Sequence, residues 1–299
     1  MAASPIALCI QGGAGPISRE SYFRNRPYLR QVLEAVAPEL AGGAAALDAV
    51  EHAVRMMEEH PAFNAGIGSS LRWDGSIQLD ASIMDGSALR GAGVGAVRGV
   101  KYPVTLARYV LERTPHVLLV GEWATGFARE CGMELLPDES FIVPERREKW
   151  ERKKAAGETP ADQVFSSGGT VGAVALDAEG RLAAATSTGG LILSLPGRVG
   201  DSAILGDGTW ADEYCAISCT GVGESIMRIL QAKVCADRIA AGLSPQEAAA
   251  FAVELQRRRT PGTSGLVAVD VQGRLGLAWN SWNMYRGYFT PATGVVVPE

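Results

Sequence analysis

The 299-residue sequence predicts an α/β protein whose sheets are covered by helices, and three observations lead there. Short apolar runs alternate with longer stretches in which apolar residues recur at helical spacing. Two hairpins share one turn design: Val171–Leu176 and Leu182–Ser187 flank Asp177-Ala-Glu-Gly180, and Leu266–Asp270 and Leu275–Trp279 flank Val271-Gln-Gly273. Asp at the start of such a turn and Gly at its end fit a type I turn closed by a residue with positive φ. The chain also carries 36 glycines against 7% aromatics, so tight turns and close backbone approach are expected to matter.

Taken in order, Ile6–Ile10 reads as a buried strand that feeds the glycine-rich turn Gln11-Gly-Gly-Ala-Gly15. Two helices follow; the second carries Leu47, Val50, Val54 and Met57 on one stripe and ends near His60-Pro61. Residues 64–100 predict short strands between glycine turns, and helical spacing returns at 103–112 and about 121–131. Between about 138 and 167 the periodicity dissolves into Pro144, mixed charges, Gly157, Pro160 and Ser166-Ser167, the pattern of a flexible linker. Beyond the first hairpin, Glu224–Ala241 is a helix candidate, and Ser244-Pro-Gln-Glu247 is a capping box that starts another. Spacing alone does not say whether two sheets stack.

A formal charge of −5 and a pI near 5.4 argue against a nucleic-acid surface. The basic run Arg146 to Lys154 is interrupted by Glu148 and Glu151 and reads as a solvated segment. Five cysteines lack the spacing of a disulfide framework. Cys215-x-x-x-Cys219 has no second cluster among three histidines, so a His/Cys transition-metal site is not expected. The N-terminus lacks the basic and apolar regions of a signal peptide, and no apolar run reaches membrane-spanning length. The expectation is a cytoplasmic protein with no membrane partner. Gln11–Gly15 lacks the spacing and lysine of a nucleotide loop.

Thr170 carries the chemical interest. Two glycines precede it, and it enters a predicted strand. Gly169 leaves the 169–170 peptide free to adopt conformations closed to other residues. Attack of the Thr170 hydroxyl on the Gly169 carbonyl, an N→O acyl shift and hydrolysis would place a new N-terminus at Thr170. The α-amine so formed has a pKa of roughly 7.7–8.0 and can serve as general base for the hydroxyl of its own residue. A lone Gly-Gly-Thr is more often only a turn entering a strand.

Further blocks lift Thr170 out of that reading. Gly169-Thr170-Val-Gly-Ala-Val-Ala175, Thr186-Ser-Thr-Gly-Gly190 and Pro196-Gly-Arg-Val-Gly-Asp-Ser202 resemble the signature blocks of the plant-type asparaginase/isoaspartyl peptidase family, which are N-terminal-nucleophile hydrolases. Phe63-Asn-Ala-Gly-Ile-Gly68, Leu79-Asp80, Met84-Asp-Gly86, Thr114-Pro-His-Val117, Ser218-Cys-Thr-Gly221 and Met284-Tyr-Arg286 resemble others, in the family's order. The resemblance spans nearly the whole chain.

It implies a four-layer αββα sandwich: one domain, 1–299, cleaved into chains 1–169 and 170–299 that associate as a dimer of αβ heterodimers. It implies Thr170 as nucleophile and Thr188 as the hydroxyl that tunes it. Arg198 and Asp201 would hold the α-carboxylate and α-amine of an aspartyl substrate, a pairing that suits a guanidinium fork and a carboxylate. Thr220 and Gly221 would form the oxyanion site, Gly223 would continue the substrate loop, and Asn64 would lie near the nucleophile. A structural sodium ion would take main-chain carbonyls of Met57, Glu58, His60, Phe63, Ala65 and Ile67, and no organic cofactor is implied. The implied reaction is hydrolysis of the side-chain β-amide of L-asparagine, of β-aspartyl dipeptides, or of both. Two alternatives stay open: a glycosylasparaginase-like hydrolase of another β-aspartyl conjugate, and a non-processing binding protein that has kept the pocket.

Gln11 stands where the family usually has histidine. Leu191-Ile-Leu-Ser194, Asp207, Trp210, Trp282 and Thr263-Ser264-Gly265 depart from it as well. The apolar loop and the tryptophans fit either a hydrophobic leaving-group side or a change of packing.

Overall fold

A computed structural model describes residues 5–165 and 169–299. Ser166-Ser167 of the expected linker and Gly168 lie outside the described residues. The chain begins β1 (Ala7–Gly15), α1 (Arg19–Ala41), α2 (Ala46–Glu59), β2 (Leu79–Asp85), β3 (Arg90–Val97), α3 (Pro103–Arg113), β4 (Leu118–Val120), α4 (Gly121–Glu130) and α5 (Pro144–Ala155). It continues β5 (Val171–Leu176), β6 (Leu182–Thr188), β7 (Thr209–Ala211), β8 (Cys215–Gly221), α6 (Gly223–Met227), α7 (Gln231–Ala240) and α8 (Pro245–Arg259). It closes with β9 (Ser264–Asp270), β10 (Leu275–Trp279), β11 (Asn283–Thr290) and β12 (Gly294–Val296).

One sheet has the order β12-β11-β1-β5-β6-β2-β3-β4 and the other β10-β9-β8-β7. The period-2 alternation of each strand sorts its side chains between cores. Val171, Ala173, Ala175, Ala183 and Ala185 pack with α1, α2 and α3. Their neighbours Val174, Leu176, Leu182 and Ala184 meet Ala216, Val267 and Val269 of the smaller sheet. The other face of that sheet, Ile217, Cys219, Leu266 and Ala268, packs on α7 and α8. Mostly alanine and valine at the sheet–sheet face let the two backbones lie close.

Both hairpin turns form as their sequence dictates. Asp177 Oδ1 accepts the N–H groups of Glu179 and Arg181, and its Oδ2 takes Arg181 Nε at 2.8 Å. Asp270 does the same with Gln272 and Arg274. Gly180 and Gly273 close the turns at φ 80° and 73°. Ser244 and Glu247 complete the capping box of α8.

Three elements differ from the sequence reading. β1 does not stop at a turn but runs through the glycines, with a register shift between Gln11 and Ala14. The helix expected over Glu224–Ala241 is broken at Leu230, φ 56°, into α6 and α7. The segment after 138 carries α5 and two short 3-10 turns, Asp138–Phe141 and Pro160–Phe165. Helix α5 buries no residue fully and is tied by polar anchors instead: Trp150 Nε1 donates to Arg72 O at 2.8 Å and Arg146 Nε to Gly68 O at 2.8 Å. A helix fastened in this way leaves no apolar stripe to read.

Candidate functional site

The ends of three strands bring the predicted residues together. Thr170 immediately precedes β5, Thr188 ends β6 beside it, and Thr220-Gly221 ends β8 in the facing sheet. Thr170 and Thr188 are both buried, and their hydroxyl oxygens lie 3.2 Å apart. Thr188 Oγ1 also accepts Gly190 N–H at 3.1 Å and donates to Asn64 O at 3.4 Å. A polar group this well enclosed keeps one geometry.

On one side of Thr170, the Gly169 carbonyl accepts Asn64 N–H at 3.0 Å. The β1 bulge presses on the same bond: a Cβ on Gly13, at φ 113°, would sit 2.6 Å from Gly169 Cα. Gln11 fixes that bulge. Its Oε1 accepts Gly13 N–H at 2.8 Å while its Nε2 donates to Cys219 O at 3.3 Å and Ser218 Oγ at 3.4 Å. Gln11 therefore ties the bulge to β8.

On the other side, a tight cavity is lined by Thr170, Thr188, Gly190, Leu191, Arg198, Asp201, Gly221 and Gly223. Gly223 is demanded by space, since a Cβ there would meet Arg198 Nη2 at 2.7 Å and Asp201 Oδ1 at 2.8 Å. Asp201 is buried, and its Oδ2 has no hydrogen-bond partner among the described residues. Burial pushes its carboxyl up to about 7; Arg198 pulls against this, and Asp207 adds to it. Thr220 is buried behind the cavity, where its Oγ1 accepts Ala14 N–H at 3.2 Å.

Asn64 lies beside Thr170, and it does so through its backbone. Its Nδ2 donates to Gly190 O and its Oδ1 accepts Ser70 N–H, both at 2.7 Å, so its side chain links two loops. Its backbone, not its amide, meets the 169–170 bond. Trp210 and Trp282 do not line the cavity. Trp210 Nε1 donates to Asp212 in the smaller sheet, and Trp282 is 87% exposed. Leu191 of the apolar loop does line it.

Glu224 and Arg72 escaped sequence reading. Glu224 occupies the Arg198 fork, with Nε–Oε1 and Nη2–Oε2 both 2.9 Å. Arg72 is fully buried behind Gly190 and donates to Ser194 Oγ at 2.6 Å and Gln78 O at 3.0 Å. Its signal was a lone arginine, indistinguishable from a surface one.

The loop that follows α2 closes on itself. Ile67 N–H donates to Glu58 O at 2.8 Å, His60 N–H to Met57 O and Phe63 N–H to His60 O. Gly66 and Gly68 carry positive φ, and a Cβ on Gly66 would strike Glu58 O at 2.3 Å. Burial pushes the Glu58 carboxyl up to about 8. Among the described residues no group of three or more His, Cys, Asp and Glu could hold a metal, and no helix is long and apolar enough to cross a membrane.

Buried convergent hydroxyls, a guanidinium and a carboxylate on the wall of one small cavity define a small-molecule enzyme site. The sequence profile of the asparaginase family matches residues 4–296, and the chain belongs to that family. It is 44% identical to the isoaspartyl peptidase of Salmonella typhimurium, over 96% of this chain and 97% of that one. It is 41% identical to the plant-type L-asparaginase of Pyrococcus abyssi, over 98% and 99%. With the isoaspartyl peptidase/L-asparaginase of Xenopus laevis the identity is 41%, over 89% and 86%.

Proposed function

We propose that this protein is a self-processing threonine hydrolase that cleaves the side-chain β-amide of L-asparagine and of β-aspartyl dipeptides, releasing L-aspartate. The observation that carries the reading is the Thr170–Thr188 hydroxyl pair on the same cavity wall as Arg198 and Asp201.

In processing, Thr170 Oγ attacks the Gly169 carbonyl, whose oxygen already takes the Asn64 N–H. The resulting ester hydrolyses to give 1–169 and 170–299. The α-amine of Thr170 then deprotonates its own hydroxyl, directly or through a water. Arg198 takes the substrate α-carboxylate as Glu224 yields part of the fork, and the Asp201 carboxylate takes the α-ammonium. Thr170 Oγ attacks the β-carbonyl. The Gly221 N–H on the cavity wall and the Thr220 hydroxyl just behind it are the donors we assign to the developing oxyanion, a contribution worth roughly 10²–10³ in rate for one such donor. Collapse expels ammonia or an amine that carries off a proton, and water hydrolyses the aspartyl ester.

We assign the two stacked sheets and their outer helices to the αββα sandwich of N-terminal-nucleophile hydrolases, and the mature form to a dimer of αβ pairs. Five free cysteines suit a cytoplasmic setting. The loop from Met57 to Ile67 fits a sodium ion: oxygen donors suit a hard cation, and a carbonyl that takes one N–H, as those of Met57, Glu58 and His60 do, has a second lone pair. Phe63, Ala65 and Ile67 would supply the remaining carbonyls. Bound sodium should raise Tm over choline at equal ionic strength; equal Tm in both would remove the ion from the account.

The substrate test compares asparagine, β-aspartyl-leucine and a glycosyl-asparagine. Turnover of the first two above the third is expected. Preference for the glycoconjugate would move the protein to the glycosylasparaginase type, and tight aspartate binding without turnover would make it a binding protein.

A further inference from the structure

Against Gly169, next to Thr170 in the chain, lies a second cavity of about 250 Å³ that shares no lining residue with the cavity holding Arg198. The β1 bulge and Gly169 form one wall, Ser21 and Tyr285 another, and Arg146 of α5 a third. It shares Ser21, Ala62 and Arg146 with an outer cavity of about 610 Å³ that adds Arg24 and Lys149. Glu145 is the one carboxylate among the lining residues of either cavity, and it is exposed.

Arg146 is the notable group here. Its Nε and Nη2 donate to the carbonyls of Gly68 and Ala62, at 2.8 and 3.4 Å, and it forms no ion pair among the described residues. Burial works against the charge on both Arg146 and Lys149. The opposite wall is fixed and polar, because Tyr285 Oη bonds Ser21 Oγ at 2.7 Å and accepts Asn25 Nδ2 at 3.0 Å. A half-buried guanidinium without a carboxylate favours an anion from outside the chain.

The two substrate classes differ on this side of the nucleophile. Ammonia carries no further group. The amino acid released from a β-aspartyl dipeptide carries an α-carboxylate one carbon from the departing nitrogen. We propose that the cavity beside Gly169 is the subsite for that leaving amino acid, with Arg146 holding its α-carboxylate and the outer cavity receiving its side chain. Cleavage of the 169–170 bond frees the Gly169 wall and opens this cavity to the mature nucleophile. The inference rests on the proposed β-aspartyl hydrolysis.

The test uses fully processed protein and two substrates that differ only in this carboxylate, β-aspartyl-leucine and β-aspartyl-leucinamide. The wild type should favour the acid by about tenfold or more in kcat/KM, as expected for hydrogen bonds between charged groups. Arg146→Gln should level the pair, and Arg146→Lys should restore part of the preference. A wild type that treats both alike, or a preference that survives Arg146→Gln, overturns the subsite. So does a wild type that hydrolyses asparagine but neither peptide. Failure on asparagine as well would instead overturn the parent reading, and this one with it.

Discussion

The hairpins β5–β6 and β9–β10 are built alike. Each turns on an Asp-x-x-Gly-Arg sequence in which the aspartate binds the arginine, and each is preceded by a Gly-Thr pair at the same spacing, 169–170 and 262–263. Their surroundings separate them. Thr170 meets Thr188, and the carbonyl before it takes the Asn64 N–H. Thr263 is half-buried; its own carbonyl takes Val222 N–H at 2.9 Å and presses on Gly221, where a Cβ would lie 2.3 Å away. One Gly-Thr supplies the candidate nucleophile and the other braces the turn that faces it. Reactivity belongs to the tertiary neighbours of the pair, not to the pair.

The sharpest way to break this contrast is to strip one hydroxyl at each site, Thr188 beside the first Gly-Thr pair and Thr263 within the second. Thr188→Val should lower kcat for asparagine by roughly 10²-fold or more, since a positioned proton-transfer partner contributes on that scale. Thr263→Val should process and turn over near the wild-type rate. Equal losses in steady-state kinetics would show that the surroundings of the two Gly-Thr pairs are not functionally distinct.

A smaller effect concerns charge. Asp201 must be ionised to pair with an ammonium, and burial has pushed its carboxyl up to about 7. As pH falls through that value the carboxylate is lost, and with it the proposed hold on the substrate ammonium. The Thr170 amine freed by the proposed processing would be protonated over a neighbouring range. The acid limb of log kcat/KM for asparagine should therefore approach a slope of about two, and for succinamate, which lacks the α-amine, about one. A slope of one for both would remove Asp201 from the binding role.

The smallest expected effect separates the turns themselves. Asp177 has one partner that Asp270 lacks, the N–H of Ala46 at the start of α2, at 2.9 Å. In unprocessed Thr170→Ala protein, Asp177→Ala should cost about 1 kcal/mol more than Asp270→Ala by urea unfolding. Equal costs would leave that bond without net effect.

The same contrast explains what could be read from the sequence. Hairpin turns and the Ser244 capping box are local chemistry, so Asp177, Gly180, Asp270 and Gly273 declared themselves. The blocks around Thr170, Thr188, Arg198 and Asp201 located the cavity, because they resemble a family and not because their spacing shows a pocket. Glu224 on the Arg198 fork, Arg72 behind Gly190 and the Gln11 tie across the sheets are contacts between distant segments and leave no local pattern. Helix α5 was illegible for a related reason, as it is fastened by hydrogen bonds to distant loops and has no apolar face.

Self-processing at Thr170 is the central claim, and intact mass with N-terminal sequencing after incubation at neutral pH tests it most directly. Scaling the 31.5 kDa chain by length predicts fragments of roughly 18 and 14 kDa, the smaller beginning Thr-Val-Gly-Ala, and neither forming in Thr170→Ala. A chain that stays whole, or a new N-terminus at any other residue, would contradict the account.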